Sequence, residues 1–291
     1  MSSIALQKNT LSSSSSSKDD MQDYLIFCAY LKESSGISLG ENKAYLVKNR
    51  LRPILKAHDV ETLGEATKKI KSGTDPKLKL EIIDAMTTNE TSWFRDQYPF
   101  EYLHDELLPK LTGSRMSTPR IWSAACSYGH EAYSMSMVID EYMMKNPGSF
   151  PGDIQIVGTD ISTRVVKAAK EAEYDRLGIA RGLSEERKKK YFTYNNGDET
   201  YKLIDKVKRR VRFQYLNLLE SYATLGKFDI IFCRNVLIYF SNENKTEILN
   251  KFANSLHKDG VLILGGSESL TSDCNAFQMV KCQRGVIYKP A

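Results

Sequence analysis

The sequence lacks a hydrophobic run long enough to cross a membrane. Its longest apolar runs include those from Tyr24 to Leu31 and from Phe228 to Cys233, whereas a membrane-spanning helix needs about 20 residues. The N-terminus has no basic segment followed by an apolar core, which a secretory signal would require. We therefore expect a protein of the cytoplasm that is not integral to the membrane.

Cysteine and histidine are both scarce. The five cysteines form no C-x-x-C pair and are odd in number, and the four histidines are not spaced as metal ligands. Reduced, independent thiols are typical of a cytoplasmic protein, and a structural zinc site needs clustered Cys or His. The sequence therefore predicts free thiols and no metal site.

The chain has little net charge, but that charge is concentrated. The whole chain carries +5, and residues 181–212 hold eleven Lys and Arg against five acidic residues, a local charge of +6. Two explanations account for this local charge equally well. One is a solvated helix face with an exposed hairpin, and the other is a surface that binds an acidic protein partner. A footprint on duplex nucleic acid usually needs more basic charge, so we expect no nucleic-acid partner.

The first third of the chain is helical in pattern. Residues 1–18 include a run of six serines, which buries too little apolar area to offset the entropy of ordering, so a disordered Ser-rich tail is predicted there. In residues 19–86 apolar side chains recur three and four positions apart between glycines and prolines, which predicts a small all-α domain of several short helices. Its basic residues around Arg50 and Arg52 are either a plain exposed face or a partner surface.

A polar run that ends in Trp93, Phe94 and Arg95 then breaks the helical pattern. We interpret residues 87–99 as a linker. It is either a strap held down by its aromatic side chains or a segment that contacts a ligand, since clefts between domains are common binding places.

The chain is organised around the stretch from Arg120 to Glu131. It reads as a buried strand that breaks into a loop of small residues, and residues 132–144 follow with helical periodicity. A strand, a tight turn and a helix form the first half of a βαβ unit, whose turn lies where open α/β sheets bind nucleotide-like ligands.

Strands and helices alternate through residues 100–291, which predicts a mainly parallel sheet covered on both faces. Around the turn Asn196–Gly197, aromatic and β-branched residues predict a hairpin, and we place an inserted β-subdomain at about residues 188–212. The segment Gly285 to Lys289 is expected to close the sheet.

Two residues near the strand ends indicate the ligand. The loop after the first strand has one glycine rather than G-x-G-x-x-G and adds Glu131, which would repel a pyrophosphate but attract a ligand with a sulfonium and an ammonium group. Asp160 ends the second strand, where a carboxylate can bind both hydroxyls of a ribose. The alternatives are that Glu131 is a favourable first-turn acid and that Asp160 or Ser162 caps a helix.

Four motifs follow one another along the chain: Asn89 to Arg95, Ile121 to Glu131, Asn217 to Glu220, and Phe232 to Phe240. Together they resemble the chemotaxis receptor methyltransferases, the CheR family. The resemblance covers roughly residues 20–289 in order, and the last motif is highly specific.

The resemblance implies a fold and an activity. The fold would be an α/β class I S-adenosylmethionine-dependent methyltransferase domain, Rossmann-like, with an inserted small antiparallel β-subdomain and a small all-α domain before it. The activity would be methyl transfer to glutamate side chains on the cytoplasmic helical domain of chemoreceptors, by a monomer recruited to receptor arrays, with S-adenosylhomocysteine as the product. In tether-dependent members the hairpin docks a receptor C-terminal tail by strand addition, and the sequence leaves open whether this chain does so.

The resemblance also implies the site residues. Tyr239 matches a tyrosine near the methyl group, and with Arg95 it forms the expected catalytic pair, while His130 is expected at the surface of a helix start rather than as a catalytic base. The residues that match the family's cofactor site are Asn89, Thr91, Arg95, Glu131, Asp160, Asn217, Leu218, Arg234 and Asn235.

Three other functions fit the sequence less well. A nucleic-acid methyltransferase would more often carry an Asn-Pro-Pro-aromatic motif where residues 233–236 stand. A sensor that binds S-adenosylmethionine without catalysis is disfavoured because every matched site residue is present, and hydride transfer is disfavoured by the single glycine of the loop.

Overall fold

The computed structural model of the protein describes residues 8–112, 118–283 and 285–291. They divide into two compact units, with the boundary between Thr87 and Thr88. Among the described residues, the helices are too short or too polar to cross a bilayer.

The first unit consists of helices around one apolar core. Phe27, Leu31, Leu51, Leu78 and Ile82 are among its fully buried side chains. The helices are α1 (Lys8–Ser35), α2 (Ala44–Ala57), α3 (Leu63–Ser72) and α4 (Pro76–Met86), with a 3₁₀ turn at Glu41–Lys43.

Local sequence sets the ends of the last two helices. The side chain of Thr62 accepts a hydrogen bond from the N–H of Glu65 and caps α3, which ends at Gly73 in the left-handed conformation. Asp75 caps α4 in the same way, with Pro76 at its first position. Each cap satisfies a backbone group that the helix itself cannot.

The structure differs from the predicted disordered tail from Lys8 onward. Helix α1 begins at Lys8 and so includes the serine run, whereas residues 1–7 lie outside the described residues. Adding turns to an existing helix avoids the cost of nucleation, so a segment with weak helix propensity can extend a helix that packs further along the chain.

The second unit is α/β. Its helices are α5 (Tyr98–Tyr102), α6 (Leu108–Leu111), α7 (His130–Lys145), α8 (Thr163–Glu171), α9 (Arg176–Ala180), α10 (Glu185–Tyr191), α11 (Asp205–Lys208) and α12 (Asn242–Ser255), with a π-helical turn at Leu103–Leu107 and 3₁₀ turns at Ala223–Leu225 and Leu237–Tyr239. Its strands are β1 (Arg120–Ala124), β2 (Gln155–Asp160), β3 (Glu173–Tyr174), β4 (Phe192–Asn195), β5 (Thr200–Leu203), β6 (Val211–Tyr215), β7 (Phe228–Cys233), β8 (Leu256–Leu264), β9 (Phe277–Lys281) and β10 (Val286–Pro290).

Seven strands form the large sheet in the order β6-β2-β1-β7-β8-β10-β9. The first five are mutually parallel, and β10 is antiparallel to both of its neighbours. The strand order reverses between β1 and β7, and such a switch point is where open α/β sheets bind ligands.

The large sheet is covered on both faces, as the alternation predicted. Ile121 and Trp122 are neighbours in β1, yet they belong to different apolar clusters, because consecutive strand side chains point to opposite faces. Tyr133 of α7 packs in the first cluster, and Phe252 of α12 packs in the second. The mainly parallel sheet is therefore confirmed.

The prediction of the closing strand was incomplete. Strand β10 lies inside the sheet, and β9 forms the edge next to it. The sequence did not indicate β9, because this strand has no alternating apolar pattern. Three of its five side chains, Gln278, Met279 and Lys281, are exposed.

The inserted subdomain is a separate small sheet in the order β3-β5-β4. Its extent differs from the predicted 188–212, since β3 joins it from upstream and Val211–Tyr215 belongs to the large sheet. Two residues are too few for β3 to show an alternating pattern in the sequence.

Candidate functional site

The carboxyl ends of three adjacent strands meet at the switch point. Ala124, the last residue of β1, pairs with Thr159 of β2 on one side and with Cys233 of β7 on the other. Each of the loops that leave β2 and β7 therefore starts one strand spacing, about 5 Å, from the loop that leaves β1. Half of the ten site residues expected from the sequence lie at or after these strand ends: Glu131, Asp160, Arg234, Asn235 and Tyr239.

The loop after β1 has an unusual backbone. Ala125 and Ser127 have positive φ values of 58° and 50°, and Gly129 follows at 83° as the first residue before α7. A Cβ at Gly129 would lie 3.0 Å from the ring of Phe213 and 3.1 Å from the Cβ of Ala169. The single glycine of this loop is thus needed for both conformation and space.

Asp160 is 6% exposed and holds this loop in place. Its carboxylate accepts hydrogen bonds from the N–H of Ser127 at 2.8 Å and from the N–H of Ser162 at 2.9 Å. The cap of α8 is Ser162, whose hydroxyl accepts a bond from the N–H of Val165. Ser162 rather than Asp160 therefore caps α8, while the Asp160 carboxylate faces the loop after β1.

Glu131 lies in the first turn of α7, but its carboxylate bonds away from the helix. It accepts a hydrogen bond from the hydroxyl of Ser123 at 2.7 Å and forms an ion pair with Arg234 at 3.0 Å. The Arg234 side chain is only 2% exposed. Glu131 does lie in the first turn of a helix, as the alternative interpretation expected. Its carboxylate, however, pairs with the buried Arg234 side chain across the strand ends.

Arg234 connects this pair to the segment before α5. Its guanidinium also donates to the backbone oxygen of Arg95 at 2.8 Å and to the carboxylate of Asp96 at 2.6 Å. Phe94, Asp96 and Gln97 all have positive φ values, so the segment is locally strained. Arg234 therefore fixes the backbone position of Arg95.

The same segment is anchored by its aromatic residues. The Trp93 side chain is fully buried and donates a hydrogen bond from its indole N–H to the oxygen of Gly178 at 2.8 Å. The N–H of Phe94 donates to the hydroxyl of Ser134 at 3.1 Å. Asn89 is tied in further upstream, because its backbone oxygen accepts a bond from the hydroxyl of Ser127.

Asn235 follows Arg234 with φ at 57°. Its side-chain oxygen is buried and has no hydrogen-bond partner among the residues that the structure describes. An orphaned buried acceptor costs about 1–3 kcal/mol, so this atom is suited to a donor from a bound ligand.

Comparison with known proteins identifies the family. The model of the CheR methyltransferase SAM-binding domain matches residues 89–286, and that of the CheR methyltransferase all-alpha domain matches residues 22–87. The chain belongs to the CheR methyltransferase family. It is an S-adenosylmethionine-dependent methyltransferase with a class I fold.

Named relatives of this CheR chain span nearly its whole length. Chemotaxis protein methyltransferase 1 of Vibrio cholerae is 47% identical over 92% of this chain and 96% of its own. Chemotaxis protein methyltransferase 1 of Pseudomonas aeruginosa is 46% identical over 92% and 97%. The chemotaxis protein methyltransferase of Borreliella burgdorferi is 37% identical over 82% and 85%.

The residues at the strand ends fit the cofactor of this family. Asp160 supplies a buried carboxylate and Glu131 a partly buried one for a ligand that carries hydroxyl groups and positive charge, and the Asn235 oxygen is an available acceptor. Asn217 and Leu218 are buried immediately after β6, next to the end of β2.

Thr91 and Tyr239 make no hydrogen bond in the network just described. Thr91 is partly buried in the segment before α5. Tyr239 is 41% exposed, at the end of the 3₁₀ turn after β7. Exposure suits a residue that meets a macromolecular substrate.

The expectation that His130 lies at the surface was wrong. This side chain is buried, packs against Trp93 with ring centroids 4.5 Å apart, and donates from Nε2 to the oxygen of Gly178 at 3.1 Å. Burial lowers the pKa of His130 to about 4. It is therefore neutral and structural rather than a surface residue, because the inserted subdomain covers the start of α7.

Glu268 was missed entirely by the sequence reasoning. It lies after β8, and its carboxylate accepts hydrogen bonds from the N–H groups of Asn235, Val236 and Ile238. The available signal was an acid shortly after Gly265 and Gly266, where a strand ends. That signal is weak without knowledge of the partner loop.

Proposed function

We propose that this protein transfers the methyl group of S-adenosylmethionine to glutamate side chains of chemoreceptors. The products would be glutamate methyl esters and S-adenosylhomocysteine, and the reaction would serve sensory adaptation in chemotaxis. The constellation of Asp160, Glu131 and Arg234 at the switch point supports this proposal, in a CheR chain whose relatives are named chemotaxis protein methyltransferases.

The cofactor would be held by the residues around the strand ends. Asp160 would bind the ribose hydroxyls, while Glu131 would attract the positively charged groups and Asn235 would accept a hydrogen bond. The remaining cofactor contacts are assigned to Asn89, Thr91, Arg95, Asn217, Leu218 and Arg234. Because the Arg234 side chain is already bonded to Glu131, Arg95 and Asp96, it would act mainly by holding those groups.

The reaction needs no general base. A glutamate carboxylate has a pKa of about 4.3 and is already a nucleophile at neutral pH. Bound S-adenosylmethionine supplies a methyl group activated by a positively charged sulfur. The protein must align that carboxylate with the methyl group and exclude water, and we assign this task to Arg95 and Tyr239.

The protein substrate would be the cytoplasmic helical domain of the receptor, met by a monomer at receptor arrays. In the first unit Lys48, Arg52 and Lys56 are exposed and spaced four residues apart on α2, so they share one helix face. Such a face would attract an acidic receptor surface. A receptor tail would add to β4, which pairs only with β5 among the described strands.

The test is incubation with methyl-labelled S-adenosylmethionine and receptor-containing membranes, followed by mild alkali. We expect a volatile, alkali-labile label on receptor protein, because carboxyl esters hydrolyse under these conditions. Asp160→Ala should weaken cofactor binding, and Arg95→Ala should lower the rate or the affinity. Alkali-stable label would instead indicate an amine acceptor and would contradict the proposal, as would unchanged behaviour of both variants.

A further inference from the structure

The segment from Arg234 to Tyr239 joins the cofactor end of the site to its exposed end. It has neither helix nor strand at its start, with Asn235 in the left-handed region at φ 57°, and it closes in the 3₁₀ turn at Leu237–Tyr239. Asparagine tolerates the left-handed region better than other non-glycine residues, but a segment that starts without regular backbone hydrogen bonds still depends on outside contacts to keep its shape.

Glu268 supplies those contacts to the backbone. One carboxylate oxygen accepts the N–H groups of Asn235 at 2.6 Å and Gly265 at 2.9 Å. The other accepts the N–H groups of Val236 at 2.9 Å and Ile238 at 3.3 Å. One side chain thus satisfies four backbone donors, three of them in the segment that carries Asn235 and Tyr239.

Close packing at Gly265 also indicates that the loop of Glu268 holds the segment after Arg234. A Cβ at this residue would lie 2.6 Å from a carboxylate oxygen of Glu268 and 2.9 Å from the backbone nitrogen of Asn235. The two loops therefore approach each other as closely as a glycine permits. The contact is specific in geometry rather than a loose surface pair.

The far side of the segment is held separately. Arg234 is fixed through its side chain by Glu131, Arg95 and Asp96, whereas the backbone after Arg234 is fixed by Glu268. The contacts of the Arg234 side chain do not hold the backbone that follows it. The placement of the Asn235 amide and of the turn that bears Tyr239 therefore depends on the Glu268 carboxylate.

We propose that Glu268 is a positioning residue for methyl transfer, which holds Asn235 at the cofactor and Tyr239 at the methyl acceptor. The inference rests on the site assignments made under the proposed function. It adds a residue to the site, since Glu268 acts through the backbone of the neighbouring loop and not by touching the reacting groups.

The first test measures S-adenosylhomocysteine binding by calorimetry with the full chain, which requires no methyl acceptor. Glu268→Gln keeps one accepting oxygen but turns the other into a donor that faces two N–H groups, so affinity should fall about tenfold. In a double-mutant cycle with Asn235→Ala, the Glu268→Gln loss should largely disappear. Glu106→Gln is the matched control, because this acid is 52% exposed and pairs only with Lys110 among the described contacts.

The second test measures methyl transfer to receptor membranes. Glu268→Gln should lower kcat about tenfold while KM for the receptor changes less than about twofold, and this effect should shrink in a Tyr239→Phe background. A wild-type chain that binds cofactor but labels no receptor would contradict the proposed acceptor, and the binding cycle would still decide the role of Glu268.

The inference would be overturned by unchanged binding and turnover in Glu268→Gln. Losses that simply add to those of Asn235→Ala and Tyr239→Phe would also overturn it, since they would show that Glu268 acts independently of those two residues. If Glu268→Gln does not fold, Glu268→Asp keeps the charge but shortens the reach, and the same cycles apply to it with the same expected outcomes.

Discussion

Arg234 is the side chain on which the contacts of the site converge. Its side chain is 2% exposed, and its guanidinium bonds to Glu131, Asp96 and the backbone of Arg95. Lysine presents one point charge and cannot match a planar fork that serves three acceptors. The geometry of the site at this residue is therefore specific to arginine.

Arg234→Lys is expected to destabilise the second unit by about 2–3 kcal/mol, because a buried ammonium group cannot satisfy all the acceptors that the buried guanidinium serves. Urea unfolding followed by tryptophan fluorescence reports this unit alone, since both tryptophans of the chain, Trp93 and Trp122, lie in it. Arg212→Lys, at an exposed residue, should change stability by less than about 0.5 kcal/mol. Equal effects of the two variants would contradict the prediction.

His58 makes the first unit sensitive to pH. Its two ring nitrogens lie 3.0 Å from the carboxylates of Asp75 and Glu81. Burial lowers the pKa of His58, but the hydrogen bonds and charges of the two acids outweigh this and raise the pKa above its ordinary value. Lys77, which pairs with Glu81, and Lys69, which lowers the pKa of Asp75, are the cations nearby.

A raised folded pKa means that the charged form of His58 stabilises the fold. This stability is fully present below the unfolded pKa of about 6.5 and is lost as pH rises through the higher folded value. Amide hydrogen exchange of residues 44–86 should therefore show that His58→Gln destabilises the unit more at pH about 6 than at pH about 8.5. His257→Gln, in the other unit, is the control, and a pH-independent effect of His58→Gln would refute the assignment.

Among the elements, the loop between β1 and α7 depends most on one glycine. Gly129→Ala should be costly, because it combines φ at 83° with a Cβ 3.0 Å from Phe213. Gly148→Ala is a matched control, since it has φ at 78° with nothing within 4 Å of its Cβ. The difference in unfolding free energy between the two variants therefore measures the effect of crowding separately from that of backbone strain.

We expect Gly148→Ala to cost about 1 kcal/mol in unfolding free energy, from the left-handed backbone alone. Gly129→Ala should cost at least about 1 kcal/mol more and should also weaken S-adenosylhomocysteine binding by displacing the loop that Asp160 holds. Urea unfolding and calorimetry measure the two effects. Similar results for both variants would show that the loop has room for a side chain.

The exposed face of α2 can be tested as a receptor contact by charge reversal. Arg52→Glu should raise KM for receptor membranes by about threefold without changing kcat, and added salt should raise KM of the wild type. Lys79→Glu is the control, because Lys79 is an exposed cation on α4 of the same unit. Salt-independent methylation, or equal effects of the two reversals, would exclude α2 as the contact.

For the whole molecule, apolar burial is partitioned between the two units. The first unit has its own core around Phe27 and Leu51, and the two clusters on the large sheet contain only residues from Trp93 onward. All residues assigned to the cofactor site belong to the second unit. Each unit therefore has the core that independent folding needs.

A fragment of residues 88–291 is accordingly expected to fold and to bind S-adenosylhomocysteine within about threefold of the full chain. It should no longer methylate receptors efficiently if α2 makes the receptor contact. Calorimetry and receptor labelling of the fragment and the full chain measure both. A folded fragment that does not bind cofactor would show that the first unit contributes to the site.

The sequence by itself determined the local structure and the family. Helical and strand periods, glycine and proline positions, and the motifs around Glu131 and Arg234 depend on neighbours within a few turns of chain, so they can be read directly. The two-part organisation, the parallel sheet covered on both faces and the S-adenosylmethionine-dependent methyltransferase class were predicted in this way and confirmed.

The tertiary structure alone decided which distant residues meet. The Glu131 and Arg234 side chains are 103 residues apart in the chain, and Glu268 is 33 residues from Asn235. The burial of His130 likewise depends on a subdomain inserted later in the sequence. Such contacts follow from strand order and loop packing, which no local period encodes, and they are the contacts that shape the site.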